Sequence, residues 1–219
     1  MRSAPASSRI LVASRTAKKL EELRRVLASA RITGLEVVGL DEVEPFDETP
    51  ETGETFEQNA LVKAQDGARA TGLPCIADDS GLAVGALNGM PGVLSARWSG
   101  THGADADNTA LLLAQMRDVP DDRRDAAFIS SCALVVPTEE FVAGDDGPQI
   151  NETTVQGEWH GAITRYPRGD NGFGYDPVFV PDGEDRTAAE MTAGEKDSDS
   201  HRSRALAQLV PILRTLAEQ

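Results

Sequence analysis

Two adjacent aspartates sit where the chain otherwise reads as a buried strand. Asp78 and Asp79 stand at the point where the apolar run Pro74 to Ala77 meets Ser80 and Gly81. Taking a carboxylate out of water is costly unless cations or hydrogen-bond donors answer it. A fold that keeps this pair must therefore bring positive charge to that strand. Hard oxygen donors suit Mg²⁺ or Mn²⁺, so a divalent metal is the obvious counter-ion. Cations elsewhere in the chain suit phosphate, and together these features imply a metal-dependent reaction on a phosphorylated substrate.

A chain of 219 residues can bury a full core. The expected organisation is a loose tail over residues 1–8 and a single domain over 9–219, with room for two lobes. The tail carries one arginine and no apolar core, so it does not read as a signal peptide. Apolar runs are only a few residues long, which argues against a membrane span. Cys75 and Cys132 lie in apolar segments without metal-type spacing and read as reduced core residues of a cytoplasmic protein. A net charge of −15 argues against a nucleic-acid polymer as partner. A small polyanion remains open, because the field at a local site can oppose the global sign.

The order of elements predicts an α/β protein. Ile10 to Ala13 is a short apolar run, and Leu20, Leu23, Leu27 and Ala30 then recur at helical spacing. Ser14 or Thr16 can cap that helix, giving a strand-turn-helix unit. Free N–H groups at such a turn suit a phosphate, and Lys19 adds a full charge. The turn is not glycine-rich, however, and an ordinary surface lysine is the plainer reading. Thr55 and Gln58 have capping-box spacing before a helix faced by Phe56, Ala60, Ala64 and Ala68, which Gly72 and Pro74 end. The next strand reads as ending at Ala77, with Asp78 and Asp79 at its carboxyl end and a bend begun by Ser80 and Gly81. Strand ends of that kind carry ligands in open α/β sheets.

Farther on, Gly85 to Gly92 reads as a loop, Asp107 to Met116 as a helix and Ala126 to Val136 as a buried strand. Pro137 to Pro148 is acidic and turn-rich. Thr153 to Ile163 returns as a strand with Trp159 and Ile163 on one face. Thr187 and Glu190 mark a helix start. The last helix turns Ala205, Leu206, Leu209, Leu213 and Leu216 inward, with a kink expected at Pro211.

Two further segments are unusual. In Gly169 to Pro177, glycines flank Phe173, and two readings stand side by side: a stacking platform for a base with Asp176 at its edge, or a tight turn whose rings enter the core. Lys196 to Arg204 gathers Lys196, His201, Arg202 and Arg204 at what reads as the start of the final helix. Cations are disfavoured at a helix N-terminus, so an anionic ligand would explain them; neutralisation by Asp197 and Asp199 would also do so.

These stretches, in this order and spacing, resemble the inosine triphosphate pyrophosphatase family over nearly the whole chain. The matching residues are the opening unit with Lys19; Glu51-Thr52-Gly53 with Phe56 and Asn59-Ala60; and Ala77 to Leu82. They continue with Pro91-Gly92-Val93, Ser95-Ala96-Arg97, Phe173 to Pro177, and Lys196 with Ser200-His201-Arg202. The resemblance implies a central twisted mixed sheet flanked by helices, in two lobes with a nucleotide cleft between them. It also implies a homodimer, Mg²⁺ dependence with Mn²⁺ as a substitute, and hydrolysis of XTP, ITP or dITP to the monophosphate and pyrophosphate.

Carried onto this chain, the resemblance assigns the triphosphate to Ser14, Arg15, Thr16 and Lys19. Glu51 and Asp79 would serve the metal, with Asp79 as proton acceptor, Asp78 in support and Ser80 on the substrate. Phe173, Gly174, Tyr175 and Asp176 would form the base pocket, Lys196 would reach the ligand, and His201 and Arg202 would meet the purine's carbonyl edge. Three departures stand out. Ser14-Arg15-Thr16 replaces the family's usual Thr-Gly-Asn, Gln58 stands where an acid is common, and Ser203 follows His-Arg in place of glycine. A related pyrophosphatase for pyrimidine or modified nucleotides, and a nucleotide-binding protein without activity, are the alternatives.

Overall fold

The computed structural model describes residues 8–14, 17–138 and 150–218. Strand β1 (Ser8–Val12) leads into helix α1 (Ala17–Ser29) and returns as β2 (Leu35–Val38), which runs parallel to β1 with Ile10 opposite Val37. Helix α2 (Phe56–Thr71) then delivers the chain to β3 (Cys75–Val84), parallel to β1 on its other side. Parallel neighbours need such helical crossovers. After α3 (Asp105–Gln115) come β4 (Asp125–Pro137), β5 (Ile150–Ile163) and the short β6 (Phe179–Pro181), antiparallel to β5. One mixed six-stranded sheet results, in the order β2-β1-β3-β4-β5-β6. Helices α4 (Ala193–Asp199) and α5 (His201–Ala217) close the chain. The α/β class expected from the element order is the one found.

The described residues fall into two compact units. One takes residues up to Asp79, Ser131–Gln156 and those from Ala205 onward; the other takes Ser80–Ser130 and Gly157–Arg204. In the first unit both faces of β1 are covered. Ile10 and Val12 pack with Leu23 and Leu27 of α1 and with Leu206, Leu209 and Leu213 of α5. Leu11 points the other way, toward Ala60, Ala64 and Ala68 of α2. Small residues let α2 lie close to the sheet. A Cβ on Gly67 would come within 2.6 Å of the Cys75 sulfur. The second unit has its own core of Leu82, Val84, Leu112, Met116, Trp159, Ile163 and Tyr175, with Phe128 set edge-on to Phe179 at 4.7 Å. Trp159 and Ile163 share a face of β5, as alternation requires.

The caps of α2 follow the sequence signals. Thr55 accepts from the Gln58 N–H at 3.2 Å, and Gly72 takes the left-handed C-cap at φ 69°. The Gln58 side chain reaches back one residue farther than a capping box does, to the Glu54 N–H at 2.7 Å. The five inward residues expected of α5 are all buried, and the helix continues through Pro211. Both cysteines are free and buried.

Several expectations need correcting. β3 does not end at Ala77; it runs on through Asp78, Asp79, Ser80 and Gly81 to Val84. Gly81 serves close approach there, not a bend, since a Cβ would collide with the Ser95 hydroxyl and the Gly92 carbonyl. Thr187 opens only a single 3₁₀ turn, and the true helix start is Thr192, whose hydroxyl accepts from the Glu195 N–H. Lys196 belongs to α4, in its last turn, where a cation is favoured. β2 was not foreseen. The expected tail lies outside the described residues except for Ser8, which opens β1, and so does most of the acidic 137–148 segment. Among the described residues no helix is long and apolar enough to cross a membrane.

Candidate active site

Because β3 is extended through its two aspartates, they point to opposite faces. Asp78 is buried and takes an ion pair from Lys19 of α1, Nζ to Oδ1 at 2.8 Å. Asp79 meets α2 instead. Its Oδ2 accepts from the Asn59 amide at 3.0 Å, and its Oδ1 lies 3.4 Å from the Lys63 ammonium. Lys63 also donates to the Asp78 carbonyl at 2.8 Å and to Glu51 Oε1 at 3.0 Å. Asn59 is fixed from behind by the Gly53 N–H, 2.8 Å from its Oδ1. Gly53 must be glycine for this approach, since a Cβ would come within 2.6 Å of that oxygen. The loop carrying Glu51, the helix carrying Asn59 and Lys63, and the strand carrying Asp79 thus interlock within the first unit.

Burial pushes the Asp79 carboxyl above the usual aspartate range; Lys63 and Asn59 pull it back, and Glu51 adds to the rise. For Lys63, burial alone would lower the pKa. Asp79, then Glu51 and Asp78, more than reverse this, so the ammonium is held charged above its ordinary range.

Among the described residues no three His, Cys, Asp or Glu side chains converge as a ready metal cage. Glu51 and Asp79 nevertheless share one cation, both lying within 3.4 Å of the Lys63 ammonium. Mg²⁺ is commonly held by one or two carboxylates together with substrate phosphates and water. The donor set fits an ion that arrives with a phosphorylated substrate, not one caged by protein alone.

In the second unit, the glycine-rich segment turns one ring outward and the other into the core. Phe173 is 55 % exposed, while Tyr175 is buried and donates its hydroxyl proton to the Ser95 carbonyl at 2.9 Å. Burial raises the Tyr175 phenol above its ordinary pKa. Asp176, 2 % exposed, accepts from the Phe173 N–H at 2.8 Å and pairs with Lys196, whose ammonium also lies 4.9 Å from the Phe173 ring centre. The Gly174 N–H donates to Asp105 at 2.8 Å. Asp176 therefore shapes the segment from beneath while Phe173 stands outward.

Two more predicted residues join this unit at the start of α5. His201 is buried and stacks on Phe128 with ring centres 5.2 Å apart. Arg202 is buried too, and its Nη2 donates to Ser80 Oγ at 3.1 Å. Ser200 Oγ accepts from the Ser203 N–H at 3.2 Å, so Ser203 sits in the helix's first turn and not in a loop. At the opening turn, Ser14 donates its N–H to the Val12 carbonyl at 2.9 Å, and Arg15 and Thr16 lie outside the described residues.

A Ham1 family model matches residues 10–212. The chain belongs to the Ham1 family. Among Ham1-family relatives, the dITP/XTP pyrophosphatase of Nocardia farcinica is 65 % identical over 212 residues, covering 97 % of this chain and 98 % of that protein. Its counterpart in Mycobacterium tuberculosis is 62 % identical over 210 residues, with 96 % and 97 % covered. Among solved structures, the nucleoside-triphosphatase / dITP/XTP pyrophosphatase of Mycobacterium abscessus is 60 % identical, with a TM-score of 0.75 over 93 % of this chain and 99 % of that one. The Staphylococcus aureus Ham1 protein, 33 % identical, has a TM-score of 0.80 over 95 % and 99 %.

Sequence reasoning passed over Lys63 and gave Asn59 no role at the site. Both follow from the helical period of α2. Asn59 and Lys63 stand four residues apart at the edge of the stripe formed by Phe56, Ala60 and Ala64. An amide and an ammonium beside a buried stripe were the available signal.

Proposed function

We propose that this chain hydrolyses non-standard purine nucleoside triphosphates, of the ITP, XTP and dITP kind, to the monophosphate and pyrophosphate. The observation that carries the reading is Asp79 held between Asn59 and Lys63, with Glu51 on the same ammonium. The names of relatives more than 60 % identical support it.

In this reading Asp79 Oδ2 stays with Asn59, and Oδ1 takes the proton of the water that attacks the α-phosphorus, so that pyrophosphate leaves intact. The upward shift of its pKa by burial makes it a better base than an exposed aspartate. Lys63 and Lys19 offset phosphate charge, with Ser14, Arg15 and Thr16 at the phosphate-binding turn and Asp78 holding Lys19 in place. Mg²⁺, or Mn²⁺ in its place, would be held by Glu51 and Asp79 and would supply Lewis-acid withdrawal of charge from the phosphoryl oxygens.

Phe173 offers a face to the base, while Gly174, Tyr175 and Asp176 set its position and Lys196 adds charge beside it. Ser80 and Arg202 hold each other, and Arg202 with His201 would present donors to the six-position of the purine. A carbonyl there accepts from them, whereas the amino group of ATP would face donor to donor. Such a buried mismatch costs on the order of a few kcal/mol. A homodimer belongs to the same reading through the family resemblance, with light scattering as its check. Two buried free thiols suit a cytoplasmic protein.

The test is ITP hydrolysis with and without Mg²⁺, assayed for pyrophosphate against orthophosphate. Pyrophosphate release that needs Mg²⁺ is expected. Orthophosphate as the product would overturn the mechanism, and turnover of dTTP equal to that of ITP would move the chain to the pyrimidine alternative. Nucleotide binding without turnover would leave a non-catalytic protein.

A further inference from the structure

Away from every residue assigned above, the second unit holds a cavity of about 450 Å³ lined by Ala110, Leu113, Ala114, Arg117, Arg124 and Arg165. Its wall is one stripe of α3 continued into the following turn, since positions 110, 113, 114 and 117 share a helical face. The lining has an apolar side and a cationic side, and it contains no acid. That is unusual in a chain of net charge −15.

The three guanidiniums have different freedom. Arg124 is 3 % exposed and fixed by backbone: its Nε donates to the Ile163 carbonyl at 2.7 Å, Nη1 to the Met116 and Val119 carbonyls at 2.6 and 3.2 Å, and Nη2 to the Thr164 carbonyl at 2.8 Å. It is a rigid positive floor. Burial, followed by repulsion from Arg165, lowers its pKa, so these two charges sense each other. Arg165 is half exposed and held by Asp121 at 2.6 Å, an acid outside the lining. No hydrogen bond or ion pair joins the Arg117 guanidinium to another described residue. The pocket is open to solvent along Ala110, Ala114, Arg117 and Arg165, and its volume leaves room for a small organic ligand.

We propose that this cavity is a binding site for a small amphipathic monoanion: an apolar ring body against Leu113 and Ala114, with a carboxylate or sulfonate group on Arg117 and Arg165. Guanidinium forks suit such oxyanions. The lining offers arginine donors and apolar carbon but no side-chain acceptor for the edge of a base, which sets the ligand class apart from the nucleotides of the proposed reaction.

A fluorescence titration with anilinonaphthalene sulfonate tests this on the full chain. Saturable binding is expected, weakened about tenfold in the double variant Arg117→Ala/Arg165→Ala through loss of charged hydrogen bonds. Circular dichroism and ITP turnover of that variant are expected to match the unaltered protein, since both arginines are exposed. Uncharged phenylnaphthylamine is expected to bind about tenfold more weakly than the sulfonate. Millimolar inosine monophosphate is expected not to displace the dye. Absence of saturable binding, equal affinity in the double variant, equal affinity of the uncharged dye, or displacement by inosine monophosphate would each overturn the proposal.

Discussion

Two carboxylate–lysine pairs, Asp79 with Lys63 in the first unit and Asp176 with Lys196 in the second, share a chemistry and differ in what surrounds it. Among the described residues the Asp79 carboxylate is approached only by side chains, and its lysine is shared with Glu51 and the Asp78 carbonyl. Asp176 instead accepts from the backbone N–H of Phe173, three residues earlier in its own turn, and lies deeper. The same functional group is therefore available for chemistry in one place and committed to the geometry of a loop in the other. Side-chain partners can be exchanged when a substrate arrives, whereas a backbone partner is lost only by unfolding the turn.

Substitution of the two acids should separate these roles. Asp79→Asn is expected to lower kcat roughly 10³-fold, the scale of a lost general base. Its thermal midpoint should stay close to that of the unaltered protein, because removing a partly desolvated charge offsets the loss of the Lys63 pair. Steady-state kinetics with ITP and a melting curve check both. Asp176→Asn should behave in the opposite way: about 2 kcal/mol of stability lost through the weakened Lys196 and Phe173 contacts, KM for ITP raised about tenfold, and kcat little changed. Urea unfolding and the same kinetics decide it. If Asp176→Asn abolishes turnover without destabilising the protein, the distinction between the pairs is gone.

That distinction was only half legible beforehand. Asp79 stood out because carboxylates beside an apolar run demand partners, and the caps of α2 were readable because Thr55 and Gly72 act within one turn. The course of β3 was not readable. Ser80 and Gly81 look like a turn until Ser95 and Gly92, distant in sequence, are seen to press against Gly81. Lys63 was missed because a lysine on a helix defaults to solvent, and only Glu51 and Asp79 together give it a reason to turn in. Lys196 was placed at the start of the wrong helix, since Ser200 as a break between α4 and α5 resembles the residues on either side. β2, four residues long, has too little pattern to announce itself before Val37 meets Ile10. Local signals reported caps and periods; the site depends on contacts between remote segments.

The exposed face above Asp176 offers a milder probe. Phe173→Ala leaves the backbone contact to Asp176 in place and removes only the ring, with its contact to the Lys196 ammonium. Base stacking on an aromatic side chain is worth about 1 kcal/mol or more. KM should therefore rise about fivefold for ITP and XTP alike, with kcat and stability preserved. An unchanged KM would remove the stacking role and leave Asp176 supporting a segment without a known ligand.

Each acid also has a buried, weakly acidic neighbour in its own unit, and these make the smallest test. Burial pushes the Cys75 thiol, on the strand of Asp79, up to about 12, and raises the Tyr175 phenol beside Asp176. A folded-state pKa above the unfolded one means that the folded protein keeps its proton longer. The associated stability is complete below the unfolded value and is lost as pH rises toward the folded one. For Cys75 that window runs from about 9 to about 12, and the loss amounts to about 1 kcal/mol by roughly pH 10. Tyr175 contributes only at higher pH, because an unperturbed phenol titrates near 10. Urea midpoints between about pH 8 and pH 10 should fall for the unaltered protein and fall less for Cys75→Ala, whose own deficit from the lost sulfur is independent of pH. Parallel curves for the two proteins would show that the alkaline loss arises elsewhere, and the first unit would then hold its thiol no more tightly than the unfolded chain does.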